Sequence, residues 1–221
     1  MDENEFYFGV YRDVQDNGLS GWYIRQSHRS LEQLPIVQSG QVILEVGGNI
    51  GEHIQFVDQN YSAYTLTDYR DTKFASKNSK IQFRVADVEN LPFPEESFDR
   101  TISTCLLHHV GDPIKALNEI RRVTRAGGMI SLLIPCDPGL AYRLAKKLGA
   151  SKKWKESGIQ DPNFYHYTQH RNHYPGLDAF VHKVFKIDKI IKRNWPLPLN
   201  SWNLNLFTTY QIKKVLPDET S

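Results

Sequence analysis

The run Val42–His53 constrains this 221-residue chain more than any other segment. β-branched and apolar residues lead into an acid, Glu45, and glycines follow at once at Gly47, Gly48 and Gly51. A short apolar run bounded by glycines reads as a buried strand. Glycines at its end permit a tight turn in which backbone N–H groups approach a ligand closely. With a following stretch able to start a helix, the segment predicts the nucleoside-binding corner of an open α/β sheet. The spacing argues against a dinucleotide, because G-x-G-x-x-G beginning at Gly47 needs glycines where the chain has Asn49 and Glu52.

The same residues fit E-x-G-x-G-x-G with Asn49 in place of the middle glycine, and asparagine is the non-glycine residue that best tolerates a left-handed backbone. In this the chain resembles the class I S-adenosylmethionine-dependent methyltransferases of the type 11 kind. The resemblance continues in order over roughly residues 40–138. Asp68 ends the run Ala63–Arg70, Asp87 and Val88 close a strand starting at Ile81, and Arg100–His109 reads as a fourth strand. A helix from about Pro113 to Thr124, a turn at Gly127 and Gly128 and a fifth strand from Met129 to Ile134 follow.

What the resemblance implies is an α/β fold: a Rossmann-like seven-stranded sheet with helices on both faces and the last strand antiparallel. It implies S-adenosylmethionine as cofactor and S-adenosylhomocysteine as product. The cofactor set it implies is Glu45, Gly47, Gly48, Asn49 and Gly51 at the turn, Asp68 and Tyr69 at the ribose, Asp87 and Val88 at the adenine, with Thr104 and Cys105 after the fourth strand. Physical sense stands beside it. Carboxylates at three successive strand ends suit a cationic sulfonium nucleoside and would repel a pyrophosphate.

One domain accommodates the whole chain: a cap segment over 1–40, a cofactor core over 41–138, a lid over 139–180 between strands five and six, and C-terminal strands over 181–221. In the cap, a helix is expected from an N-cap at Ser27, and Tyr11, Trp22, Tyr23, His28 and Arg29 are candidates to wall the acceptor site. In the lid, Leu140, Leu144 and Leu148 recur at helical spacing beside Arg143, Lys146 and Lys147. This pattern allows a helix packed on the sheet, a substrate lid, or weak adhesion to an anionic membrane surface. No apolar run approaches the roughly 18–20 residues of a membrane span, and the acidic start lacks a signal-peptide core, so a cytoplasmic location is expected. Cys105 and Cys136 are too few for a disulfide framework or a zinc site.

The net charge of +2 hides an asymmetry: residues 1–110 hold 9 Lys and Arg against 16 Asp and Glu, while residues 111–221 hold 18 against 9. A basic half suggests an anionic acceptor. The lid and the C-terminal segment resemble, more loosely, methyltransferases of bacterial surface-polysaccharide biosynthesis. That implies a sugar acceptor, nucleotide- or lipid-linked, methylated on a hydroxyl or an amine. Alternatives are a quinone or polyketide acceptor, RNA, and a non-catalytic binding module. Nucleic acid is disfavoured for want of an N-P-P-Y-type motif and of a separate recognition domain.

Methyl transfer is an in-line displacement governed by positioning, and a hydroxyl acceptor must also lose a proton. Histidine is the side chain suited to that at neutral pH. His109 is the first candidate for the base, His108 the second and His28 the third. His170, Arg171 and His173 are candidates for the acceptor's phosphate or hydroxyls. No metal is expected. His166 and His170 share a helical spacing, but no carboxylate or cysteine completes a shell nearby, and Pro162 and Pro175 bracket a segment too short and aromatic for a firm helix.

Overall fold

The computed structural model describes residues 18–33, 40–148 and 161–216. In chain order the elements are α1 (Gly18–Glu32), β1 (Val42–Val46), β2 (Ala63–Asp68), β3 (Ile81–Val85), β4 (Phe98–Thr104), α2 (Pro113–Val123), β5 (Thr124–Pro135), α3 (Leu140–Leu148), α4 (Pro162–Gln169), α5 (Tyr174–Val184), β6 (Lys189–Trp195) and β7 (Phe207–Lys213). The strands form one sheet in the order β3-β2-β1-β4-β5-β7-β6. β1 to β5 pair in parallel, and β7 runs antiparallel to both β5 and β6. The order reverses between β1 and β4, so their C-terminal ends flank the crevice in which open α/β sheets bind ligands.

β1 is buried on both faces, as a central parallel strand is. Leu44 and Val46 join a core with Leu117 and Ile120 of α2 and Leu177 and Val181 of α5. Ile43 points the other way, to Leu66, Ile102, Leu133, Phe207 and Leu31 of α1. Helices therefore cover both faces. Each such leucine or isoleucine contributes about 1.5–3 kcal/mol by leaving water. α2 starts where its sequence says: the Asp112 side chain accepts from the Lys115 N–H at 3.0 Å and proline occupies the first turn.

Local expectations differ from the structure in several places. Ser27 does not cap α1 but lies inside it, buried, with its hydroxyl donating to the Ile24 carbonyl at 2.7 Å. Backward bonding of this kind satisfies a serine without ending a helix. After Gly51 there is only a single 3-10 turn, Ile54–Phe56. Its His53 and Phe56 are held against His28 of α1, so α1 packs against the turn. β4 stops at Thr104 rather than running to His109, because Cys105 takes a left-handed backbone with φ 51. β5 begins at Thr124, not Met129, with Gly127 at φ +74 bending it opposite an irregularity in β4.

The proline-bracketed segment forms two helices. Asp161 caps α4 through the N–H groups of Asn163 and Phe164, and Pro162 and Pro175 sit in the first turns of α4 and α5, where a missing N–H costs nothing. The leucine stripe of α3 does not pack on the sheet: Leu140, Leu144 and Leu148 are 48%, 53% and 76% exposed.

Candidate active site

A cavity of about 790 Å³ opens at the C-terminal ends of the parallel strands. One end is built by the turn after β1. Gly47 has φ +66, and a Cβ at Gly48 would lie 2.1 Å from Leu66 Cδ1 and 2.8 Å from the Glu45 carboxyl carbon, so backbone alone fits there. Asn49 does adopt the left-handed conformation, with φ 49. Its backbone N–H donates to Asp68 at 3.2 Å and its side-chain amide to Glu52 at 2.8 Å. Arg70 donates to the other oxygen of Asp68 from backbone N at 3.0 Å and from Nε at 3.1 Å. Burial pushes the Glu52 carboxyl up, against hydrogen bonds that lower it. With Asp87 and Glu89 on the same wall, this end is acidic.

The opposite end is built from imidazoles. His108 and His109, just past β4, meet His166 and His170 of α4 and its cap. Ring centroids are 4.0 Å apart for His108 and His109, 4.1 Å for His108 and His170, and 3.9 Å for His166 and His170. Asp137, just beyond β5, accepts from His166 Nε2 at 2.9 Å and from His170 Nδ1 at 2.8 Å through one oxygen. Burial works against its charge, but these two bonds hold the Asp137 carboxyl well below the usual range. His109 Nδ1 donates to the Gln169 carbonyl at 2.9 Å. Burial, then the neighbouring rings, push His109 down to about 3 and His108 well below the ordinary imidazole value. His170 falls to about 4, mainly through burial. The rings near His109 are thus neutral at pH 7.

A third group enters from α1. His28 stacks on Phe56 with the planes 5° apart, and its Nδ1 lies 2.9 Å from His53 Nδ1. His53 Nε2 is 3.0 Å from Glu32, which also takes two bonds from Arg100 at 2.8 and 2.6 Å. A carboxylate only accepts, so His53 donates from Nε2, and its Nδ1 accepts from His28. That leaves His28 Nε2 as an unprotonated lone pair on a side chain that lines the cavity. Burial and the adjacent His53 lower His28 to about 3.

Of the residues expected at the site, Gly47, Gly48, Asn49, Asp68, Tyr69, Asp87, Val88, Thr104, Cys105, Tyr23, His28, His108, His109, His170 and Arg171 lie on the cavity wall. Glu45 and Gly51 lie behind it. Glu45 points to the Ile43 face of β1, fully buried, where it accepts from Tyr64 at 2.6 Å and burial pushes it up to about 8. Trp22 is half exposed and packs on Trp195, Arg29 faces solvent, and exposed His173 caps α5. Tyr11 lies outside the described residues. Burial raises the Cys105 thiol to about 12, which leaves it unreactive.

Sequence reasoning missed Glu52 and Arg70 on the wall, buried Asp137 that holds His166 and His170, and the pair Glu32 and His53 behind it, and it noted Lys146 and His166 without placing them at the site. Asp137 had a signal: it is a further acid just past a parallel strand, the rule that selects Asp68 and Asp87. Glu32 stands four residues after His28, one helical turn, and so shares its face. His166 stands four residues before His170, a spacing that was noticed but not tied to the site.

Residues 44–132 match the model of a methyltransferase domain family. The chain is 32% identical over 141 residues to 2-methyl-6-phytyl-1,4-hydroquinone methyltransferase 2 of Oryza sativa subsp. japonica, covering 58% of this chain and 38% of that protein. It spans well under half the length of several other curated relatives it matches. Among solved structures, the Haloferax volcanii chain described as a putative methyltransferase in complex with its Trm112 activator aligns with TM-score 0.66 at 17% identity, over 98% of this chain and 99% of that one. Phosphoethanolamine N-methyltransferase 2 of Haemonchus contortus, solved with S-adenosyl-L-methionine, aligns with TM-score 0.65 at 15% identity, over 96% of this chain and 57% of that one. These likenesses follow the cavity-forming strands: residues 44–132 match a methyltransferase domain, and the chain has the fold of solved S-adenosylmethionine-dependent methyltransferases.

Proposed function

We propose that this protein transfers a methyl group from S-adenosylmethionine to a hydroxyl-bearing small molecule that carries negative charge, a nucleotide- or lipid-linked sugar being the acceptor its basic lid fits best. The observation that carries the reading is a single cavity with carboxylates at one end and neutral imidazoles at the other. The acidic end suits the cofactor. The glycine turn lines the cavity with backbone at Gly47 and Gly48, which suits a nucleoside against the turn, and Asp68 and Asp87 would hold its ribose and adenine beside the Val88 N–H. When bound, the cofactor supplies an electrophilic methyl carbon on a sulfonium and leaves as a neutral thioether.

The chain's own residues do the rest. Tyr142, Ala145 and Lys146 of α3 and Gln169 of α4 close over the cavity and exclude water. Lys146 and Arg171 attract the acceptor's anionic group and orient it. His28 takes the proton released as the acceptor oxygen bonds to carbon, and Glu32 meets the resulting charge through His53. The geometry favours His28 over His109 as base, because His28 is backed by a chain of groups ending in a carboxylate, the logic of a catalytic triad, whereas His109 is backed only by the Gln169 carbonyl.

A second reading is methylation of a hydroquinone or polyketide, favoured by the hydroquinone methyltransferase of rice and by Leu206 and Phe207 on the wall. Labelled S-adenosylmethionine offered with nucleotide sugars, short-chain hydroquinones and tRNA separates them. Label in the sugars supports the proposal. Transfer to quinol carbon alone or to tRNA alone would replace it.

A further inference from the structure

We propose that the histidine cluster is a divalent transition-metal site, with His108, His109 and His170 as ligands and a fourth position open to the cavity. This deepens the methyltransferase reading and rests on it for the use of the ion, although metal binding itself can be measured without cofactor or acceptor. One ring nitrogen of each of the three histidines lies within 4.8 Å of the others, a spacing a single ion can gather with small ring movements.

The hydrogen bonds leave a free lone pair on each ring. His170 Nδ1 donates to Asp137 and His109 Nδ1 donates to the Gln169 carbonyl, so each ring keeps a bare Nε2. A carboxylate or carbonyl on the far nitrogen is the arrangement that orients metal-bound imidazoles and raises their basicity. His108 is buried, and its Nδ1 has no hydrogen-bond partner. Native structures rarely leave such an atom unsatisfied, and an ion is one of the few groups that accounts for it.

The two segments carrying the ligands are also tied together. The Arg171 and Asn172 N–H groups donate to the His108 carbonyl at 2.8 and 3.1 Å, and the Asn172 amide donates to the carbonyls of Leu107 and Val110. The sequence alone argued against a metal for lack of a carboxylate near His166 and His170. The fold supplies Asp137.

Three neutral nitrogen ligands and an open position are the pattern of catalytic zinc, and imidazole donors suit zinc, copper, iron and nickel over magnesium or calcium. The ion would bind the acceptor oxygen and acidify its hydroxyl. That supplies what a weakly basic His28 lacks: the O–H bond breaks with its proton passing to His28, the carbon–sulfur bond breaks as the oxygen–carbon bond forms, and the ion is unchanged. A competing trio of Asp137, His166 and His170 also lies within reach of one ion. There, however, the two ring nitrogens facing Asp137 already carry protons that bond to its oxygen.

The test uses full-length protein stripped with dipicolinate and titrated with Co²⁺ against a chromophoric competitor, with metal content measured by mass spectrometry. The expected result is one Co²⁺ per chain with visible d–d bands. His109→Ala and His170→Ala should each weaken binding by more than about 100-fold, and Asp137→Asn, acting through His170, by about 10–100-fold. His182→Ala, at an exposed position of α5, is the control. Absence of the bands, or binding that survives the paired His109→Ala and His170→Ala change in protein with wild-type circular dichroism, overturns the proposal. Loss of binding in Asp137→Asn and His166→Ala but not in His108→Ala or His109→Ala overturns the ligand assignment in favour of the other trio. Calorimetry with S-adenosylmethionine on the stripped protein keeps the readings apart: no heat there refutes the methyltransferase reading, whatever the Co²⁺ result.

Discussion

Asn49 illustrates how much one residue can absorb. The turn after β1 needs a left-handed backbone at that position, and asparagine adopts it while its amide holds Glu52. Gly48 has no such latitude. Gly48→Ala should destabilise the fold by about 1–3 kcal/mol, the usual range for overpacking, and weaken cofactor binding; urea unfolding and calorimetry measure the two effects. Asp87 is exposed at the cavity mouth, so Asp87→Ala should weaken the cofactor while leaving the unfolding midpoint unchanged. His28→Gln keeps the ring's volume approximately but removes the base. It should lower kcat by about 10²–10⁴-fold with the cofactor Kd within twofold of wild type. A comparable loss of cofactor affinity would make His28 a packing residue instead.

At the scale of elements, the junction of α1 with the sheet is electrostatic as well as apolar. Arg100 of β4 bonds Glu32 at its guanidinium ends and Ser131 of β5 at Nε, and Ser131 donates to Gln211 of β7, which donates back to the Leu31 carbonyl. Burial opposes the charge on Glu32, but His53 and Arg100 hold its carboxyl at about 2, below the usual 4.5. A depressed carboxylate stabilises the fold fully above its unfolded pKa and loses that contribution as pH falls through its folded one. The stability gap between wild type and Glu32→Gln should therefore be full above about pH 4.5 and close toward pH 2. At neutral pH the gap should be about 3–5 kcal/mol, the cost of breaking a buried pair. Denaturant melts at stepped pH read it directly. The same substitution should lower turnover, since Glu32 positions His53 and His28.

Across the whole molecule, charge is sorted by the fold. The acidic half builds β1 to β4 and so the strand-end carboxylates, while the basic half supplies α3, α4 and their neighbours on the opposite wall. Lys146→Ala with Arg171→Ala should raise the acceptor KM several-fold with little change in kcat. Steady-state kinetics at low and high salt provide the check, and the effect should shrink as salt screens the wild type.

Much of this was written locally in the chain. A strand ending in glycines, acids just past Leu66 and Val85, and the Asp112-Pro113 start of α2 are short-range patterns, because period, capping and turn conformation involve residues a few positions apart. The family resemblance carried by these patterns implied the seven-stranded sheet and its antiparallel last strand, which the structure shows. Ser27, by contrast, looked like a cap because its local alternatives are nearly equal in energy, and packing of α1 on the sheet chose between them. The same holds more strongly for the chemistry. His28 meets His53 and Glu32 only because α1 folds back over the turn, and His108, His109, His166, His170 and Asp137 converge only because α4 lies across the ends of β4 and β5. The sequence by itself determined the strand and glycine turn that make the backbone corner after β1. Only the tertiary structure decided which distant side chains come within hydrogen-bonding reach of one another, since that depends on packing between segments whose approach no local rule specifies.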